Sequence, residues 1–456
     1  MVSAGISQSQ SLRRRAISAG AWNLGALVAS QIIRLGGNLV MARLLMPEMF
    51  GIMVIATTVA VVLGLLSDIG LRQNIIQSKR GDDPVFLNTA WTVQILRGFV
   101  LFSVSLLLAC LVWGAQVVGI WPVDSTYNAP LLPMVLALTS ITAVISGFGS
   151  TKVAVAFRTF QQNKLVTIEI AAQLIGLLVM LGIGYFSRSI WALVAAGLVS
   201  AMVSTVLGHL WIRGANNRLQ WDVCALKELV SFGRWMLLSS AVGVLAMQGD
   251  RILFGGSMSA AELGVYSIAV LMLGAIETGV QRLIGAVALP AFCEAARTGD
   301  SARLRNLYYR FRLILDLVLL FACGFLLIVS PLIIGWLYDA RYAGAGHMLA
   351  ILSLSLFTLR FTLAHQAWLA LGLTKFQAMD NIIRFISLWA LLPLLLIIGG
   401  AEYAMWGVAL YSLPTLFLVV SVNRGLNLFD IRRELVVLPM LVVGAVFGVS
   451  FNYIFS

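Results

Sequence analysis

Apolar runs of about twenty residues recur along the whole chain, separated by short polar loops. This pattern constrains the fold more than any single motif. A helix needs about 20 largely apolar residues to cross a bilayer. Spans are expected at roughly 16–43, 51–71, 88–112, 131–150, 165–185, 190–212, 231–254, 264–289, 313–335, 347–370, 379–399, 404–422 and 435–455. The runs are too long and too evenly apolar for barrel strands, which alternate over about ten residues. Open strands cannot sit in lipid with their backbone groups unpaired. An all-α integral membrane protein follows. With 60% hydrophobic and only 11% charged residues, no soluble core could hide this side-chain set; soluble domains carry about 25% charged residues.

Loop charge orients the chain. With the N-terminus placed in the cytoplasm, the inner segments hold Arg13, Arg14, Arg15, Arg72, Lys79, Arg80, Lys152, Arg158, Lys164, Arg213 and most of the later loop cations. The outer loops then hold only Arg188 and Arg341, with Arg43 at a border. Positive loop charge stays cytoplasmic, so the expectation is a multi-pass protein of the bacterial inner membrane with its N-terminus inside. The net charge of +12 reflects that topology and attraction to anionic membrane lipids. The loops are too short for a nucleic-acid-binding face, so no nucleic acid is expected as a partner. The apolar run after Arg15 is too long for a cleaved leader and reads as a retained span. Cys110, Cys224, Cys293 and Cys323 lack metal or redox spacing. No metal, cofactor, Walker A loop or catalytic domain is expected.

The chain resembles itself at a shift of 213 positions. Ser18, Gly20, Trp22, Leu24, Gly51, Ile55 and Ala56 fall on Ser231, Gly233, Trp235, Leu237, Gly264, Ile268 and Ala269 without a gap. Six spans separate the copies, so the copies run parallel, a known plan for transporters. Two halves are expected, 1–215 and 216–425, each a six-helix bundle, with an additional transmembrane segment at 426–456.

Two stretches carry a family resemblance. One is Ala42-Arg43-Leu44-Leu45-Met46-Pro47-Glu48-Met49-Phe50-Gly51, followed by a span ending Ser67-Asp68-Ile69-Gly70-Leu71. The other runs from Asp250-Arg251-Ile252 to Glu262-Leu263-Gly264-Val265-Tyr266. They resemble Wzx-type polysaccharide flippases, the PST branch of the multidrug/oligosaccharidyl-lipid/polysaccharide (MOP) exporter superfamily. The resemblance implies 12–14 transmembrane helices in two pseudo-symmetric six-helix bundles around a central cavity, as in MATE transporters. It also implies export of an undecaprenyl-diphosphate-linked oligosaccharide to the periplasmic leaflet, alongside a polysaccharide polymerase and export machinery. The alternatives are a multidrug or peptidoglycan-precursor exporter of the same superfamily, or a membrane-embedded polymerase or ligase. The longest outer loop, about 113–130, offers Asp124 but no acid/base pair for the latter chemistry.

A carrier of a sugar diphosphate needs a wet, cationic chamber, because unpaired polar groups cannot cross hydrocarbon cheaply. Arginine suits it, since it stays charged and grips phosphate oxygens in pairs. Arg34, Arg97, Arg251, Arg282 and Arg360 lie within expected spans, each costing roughly 2.5–3.5 kcal/mol or more if it faced lipid at mid-bilayer. Gln31, Arg34 and Asn38 share one helix face. These seven residues are candidates for the diphosphate and sugar. Glu277, Glu169, Asp68 and His365 are candidates for ion coupling. Each has a structural alternative: Asp68 as a helix-end turn residue, Arg251 as a snorkelling cation, His365 as a hydrogen bond to a neighbouring helix. Asp380–Arg384 and Arg312–Asp316, spaced i,i+4, read as structural pairs. Pro331, Pro393 and Pro414 are expected to bend their spans. Gly444 and Gly448 form a GxxxG that permits close helix packing.

Overall fold

The computed structural model describes residues 25, 28–78, 80–159, 161–297 and 299–455. Helical residues 28–44 form α1. Then follow α2 (Pro47–Leu66), α3 (Leu71–Gln77), α4 (Pro84–Val118), α5 (Leu132–Thr139), α6 (Ile141–Gly147), α7 (Lys152–Arg158), α8 (Gln162–Ser187), α9 (Trp191–Leu210) and α10 (Val223–Ser257). The rest of the chain adds α11 (Ala260–Leu283), α12 (Leu289–Arg297), α13 (Ser301–Leu337), α14 (Gly344–Leu352), α15 (Ser355–Leu359), α16 (Thr362–Ala370), α17 (Thr374–Leu410), α18 (Thr415–Gly425), α19 (Ile431–Val436) and α20 (Pro439–Phe455). No strand occurs among the described residues.

Among those residues, nine helical stretches are long and apolar enough to cross a membrane, ten if α5–α6 and α7, bent by 64°, are taken as one. The other expected spans are α1, described only in part, and α10, several of whose side chains lie outside the described set. The last arises within Thr374–Gly425, where Gly399 and Gly400 leave helical geometry and split one apolar stretch in two. Ser18, Gly20, Trp22 and Leu24 of the repeat lie outside the described residues.

The element ends follow from local chemistry. Asp68 Oδ1 accepts from Gly70 N at 3.0 Å, and Gly70 takes φ 62°, so the Asp-x-Gly turn ends α2 and starts α3. Asp83 caps α4 through Val85 N, with Pro84 at the first helical position. Ser259 and Glu262 form a reciprocal capping box at α11. After α11 the helix widens into a π turn at Ile284–Ala288. Pro290 follows; its ring would crowd the carbonyl four residues back in a regular helix. Pro331 and Pro393 lie within helices, whereas Pro414 sits at the start of α18.

The described residues form two compact units. One contains those of Met1–Leu45, Ala56–Ile120 and Pro130–Ala241; the other contains Met46–Ile55, Trp121–Ala129 and Val242–Ser456. In the first unit Leu71, Ile75, Phe86, Ala90, Ala225 and Leu229 form a buried cluster. Gly98 and Gly147 let α4 and α6 touch backbone to backbone.

In the second unit a larger cluster gathers Phe292, Tyr308, Tyr309, Phe361, Trp368 and Val419. The loop that holds Asp124 caps α10: Ser125 Oγ donates to Gly255 O at 3.0 Å, Thr126 Oγ1 to Met258 O at 2.8 Å and Tyr127 Oη to Ile252 O at 2.7 Å. Gly255 O and Met258 O lie at the helix end, where carbonyls are left without an intrahelical partner. The GxxxG of α20 faces α13 of the same chain: a methyl group on Gly444 would overlap Phe321 O, and one on Gly324 would overlap Leu441 O. Without a hydrophobic drive between helices in lipid, such close backbone approach is what holds α20 in place.

Candidate functional site

A cavity of about 610 Å³ lies in the first unit, lined by α2, α3, α4, α6 and the residues joining them, among them Asp68, Arg72, Gln73, Gln94, Arg97 and Ser146. Two residues of α4, one turn apart, build it. Arg97 Nη2 donates to Gly64 O at 2.5 Å and Nε donates to Ser67 Oγ at 3.0 Å, so the guanidinium covers the C-terminal end of α2. Gln94 Nε2 donates to Ser146 O, Gly147 O and Gly149 O at 3.0–3.1 Å, covering the end of α6. Both helix ends carry unpaired carbonyls and partial negative charge. An arginine and an amide on one helix face satisfy both.

Asp68 closes the arrangement. Its Oδ1 lies 3.8 Å from Arg97 Nη1, and both side chains remain about a quarter exposed. Arg72 lines the same cavity, its guanidinium 4.2 Å above the Phe157 ring. Two cations thus share the cavity wall with one carboxylate. Hydroxyls of Ser105, Ser140 and Thr142 complete a polar lining. Such a wall can solvate an anion or sugar hydroxyls within an otherwise apolar bundle.

Of the residues expected from sequence, the cavity gathers Arg97 and Asp68. Arg34 is exposed on α1; Asn38 Nδ2 donates to its backbone carbonyl at 2.7 Å, and Gln31 is half-buried on the same helix. None of these three lines the cavity. Glu169 is exposed on α8, 3.4 Å from Gln173 Nε2.

The second unit holds the others. Arg251 donates to Gln248 Oε1 within α10, next to Asp250, which accepts from Tyr266 Oη at 2.6 Å. Arg282 is exposed in the last turn of α11. Glu277 accepts from Ser355 Oγ at 3.4 Å. His365 Nε2 stands 3.3 Å from Asp380 Oδ2, and Arg384 Nε binds the same oxygen at 2.7 Å. His365 and Arg360, both expected in one span, therefore point to different partners. Arg360 is 3% exposed and pairs with Asp316 and Glu434. It is enclosed with two acids and one further arginine, Arg312.

Sequence reasoning missed Arg72 and Gln73 as wall residues, because both sit beside a turn and read as loop. It also missed Glu434. An acid directly before an apolar span was the available signal, but its partners lie 74 and 122 residues away.

The fold has counterparts among known proteins. The chain is 12% identical to a solved structure of "Lipid II flippase MurJ, inward closed conformation", with a TM-score of 0.69 over 93% of this chain and 92% of that one. It is 14% identical to an inward-facing multidrug resistance MATE family transporter of the MOP superfamily, with a TM-score of 0.61 over 90% and 95% of the two chains. The fold is therefore the one shared by these transporters, as the resemblance implied. Matches to two curated relatives span 66% and 64% of those proteins' lengths. One of them, "Lipopolysaccharide biosynthesis protein WzxC" of Escherichia coli (strain K12), is 24% identical over 330 residues, 71% of this chain. A family model described as "Polysaccharide biosynthesis protein" matches residues 40–347, more than half of the chain. The chain belongs to this polysaccharide biosynthesis protein family of multi-pass membrane proteins.

Proposed function

We propose that this chain is a flippase that carries an undecaprenyl-diphosphate-linked oligosaccharide from the cytoplasmic to the periplasmic leaflet of the bacterial inner membrane. The observation that carries this reading is the polar cavity of Arg97, Arg72, Asp68 and Gln94 inside a bundle of apolar helices. Its net cationic wall suits a phosphorylated, hydroxyl-rich cargo better than a cationic drug. Family membership and the fold shared with a lipid II flippase support the same reading.

In this account residues 1–215 and 216–425 act as the two moving halves, and 426–456 adds a further transmembrane segment. The N-terminus is cytoplasmic. Arg34, Gln31, Asn38, Arg251 and Arg282 serve as further cargo contacts along the path. Glu277, Glu169, Asp68 and His365 are the groups that can couple export to an ion, since carboxylates and imidazole held within a membrane bind protons or cations. A polysaccharide polymerase consumes the exported unit.

Depletion of the protein in its host tests the proposal. Lipid-linked repeat units are expected to accumulate, inaccessible to periplasmic enzymes. Normal arrival of those units in the periplasm, with no redundant carrier present, contradicts it.

A further inference from the structure

Two guanidinium groups in the second unit converge on one carboxylate oxygen. Arg312 Nη2 lies 2.9 Å and Arg360 Nη2 3.3 Å from Glu434 Oε2. Both cations also stack on the Phe361 ring, at 4.2 and 4.7 Å from its centroid. The side chains of Arg312 and Arg360 are only 3% and 4% exposed, and Glu434 11%.

The two acids of this cluster are not equivalent. Asp316 belongs to α13, one turn after Arg312, and binds its Nε at 2.8 Å. That pair is complete within one helix. Arg360, at the end of α15, lies 3.6 Å from Asp316 and closer to Glu434. Arg360 Nε and Nη1 are buried and donate no hydrogen bond among the described residues. The site therefore has more donors than its carboxylates use. Glu434 comes from α19, six residues long, with Ile431, Leu435 and Val436 exposed around it. Five residues later α20 begins.

Depth in the bilayer fits the same site. About 20 residues cross the hydrocarbon, so counting back from Leu337 places Arg312 and Asp316 at the level of one headgroup layer. Glu434, just ahead of α20, sits at the same level by the same count. Lipid phosphates lie there.

We infer that Arg312 and Arg360 form a phosphoryl-anion site, and that Glu434 is its built-in occupant. A carboxylate delivered on the short helix before α20 stands where a phosphate oxygen of a lipid would be gripped by two guanidiniums. Exchange of Glu434 for a phosphate oxygen releases α19 while both guanidiniums keep an anionic partner. The C-terminal segment thereby becomes a latch that a phosphorylated lipid opens. That the natural ligand is the diphosphate of the carried lipid rests on the function proposed above; the site itself does not.

The test is binding to the purified full-length protein. Glu434→Gln keeps the side-chain shape and removes the competing charge. It is expected to bind inorganic pyrophosphate at least tenfold more tightly than the wild type, and Glu434→Gln with Arg360→Gln is expected to lose the gain. A folded Glu434→Gln variant with unchanged affinity overturns the inference.

A second measurement keeps Glu434 in place. A fluorophore is attached at Val436→Cys, an exposed position, with Cys110, Cys224 and Cys293 replaced by serine. Vesicles containing a polyprenyl diphosphate are expected to shift its emission, and Arg360→Gln to abolish the shift. Phosphatidylglycerol vesicles producing the full shift would assign the latch to bulk anionic lipid; no shift with either lipid overturns the inference. Absence of protein-dependent export by the wild type, with the binding gain of Glu434→Gln intact, contradicts the proposed function and leaves this site standing. Normal export without any gain removes this site alone.

Discussion

Gly51 and Gly264, equivalent positions 213 residues apart, meet at one reciprocal helix crossing. A methyl group on Gly51 would overlap the carbonyl oxygen of Ala260, and one on Gly264 would overlap that of Pro47. Pro47 and Ala260 are themselves 213 residues apart and open α2 and α11. The internal repeat is thus expressed as a local pseudo-two-fold contact, each copy supplying one glycine and one backbone acceptor. Ile55 and Ile268, the next matched pair, are both buried just beyond it.

Gly51→Val and Gly264→Val should each destabilise the protein, by about 1–3 kcal/mol or more, because overpacked backbone contacts relax poorly. Gly114→Ala, in a helix with nothing within 4 Å of the added carbon, is the control and should be neutral or stabilise by up to about 1 kcal/mol. Thermal unfolding in detergent measures all three. Equal melting temperatures for Gly264→Val and the control would remove the crossing from the account.

Arg97→Ala should lower export at least tenfold while the protein still accumulates. Arg97→Lys should fall between, since an ammonium keeps the charge but cannot form the planar fork that reaches Gly64 O and Ser67 Oγ together. Quantitative export in cells, normalised to protein level, reads this out. Equal export by wild type and Arg97→Ala would discard the cavity as the cargo site.

Asp380→Asn should destabilise the second unit by about 3–5 kcal/mol, because the change leaves the Arg384 charge without its buried counter-ion. His365→Gln should cost less, since Asp380 retains Arg384. A thermal-shift comparison of the two variants decides the order.

Gly444→Leu should detach α20 from α13, seen as new protease cleavage near residues 426–438. The side chain would occupy the place of the Phe321 carbonyl. An unchanged cleavage pattern would mean that the glycine contact is dispensable.

Much of the fold is legible because lipid permits few solutions. Apolar runs could only become helices, and the turn residues Asp68-Ile69-Gly70 and the capping pair Ser259–Glu262 act through neighbours in the chain. Asp380–Arg384 and Arg312–Asp316 were equally local, one turn apart on one helix. The break at Gly399–Gly400 was visible only as a gap between two apolar runs. Long-range partners were not legible. Periodicity gives a helix face, but it does not say which element faces it. Arg97 and Arg360 look alike in sequence, each an arginine amid apolar residues, yet one lines an open cavity and the other is closed off by Glu434. The GxxxG of α20 likewise announced close packing without naming α13 as its partner.

The central claim is translocation of a diphosphate-linked sugar lipid. The most direct measurement is purified protein reconstituted into liposomes loaded asymmetrically with a fluorescent polyprenyl-diphosphate oligosaccharide, followed by quenching from outside. The account predicts protein-dependent appearance of the lipid in the opposite leaflet, with at least tenfold slower movement for Arg97→Ala. Movement at the protein-free rate, under an imposed ion gradient in either direction, would contradict it.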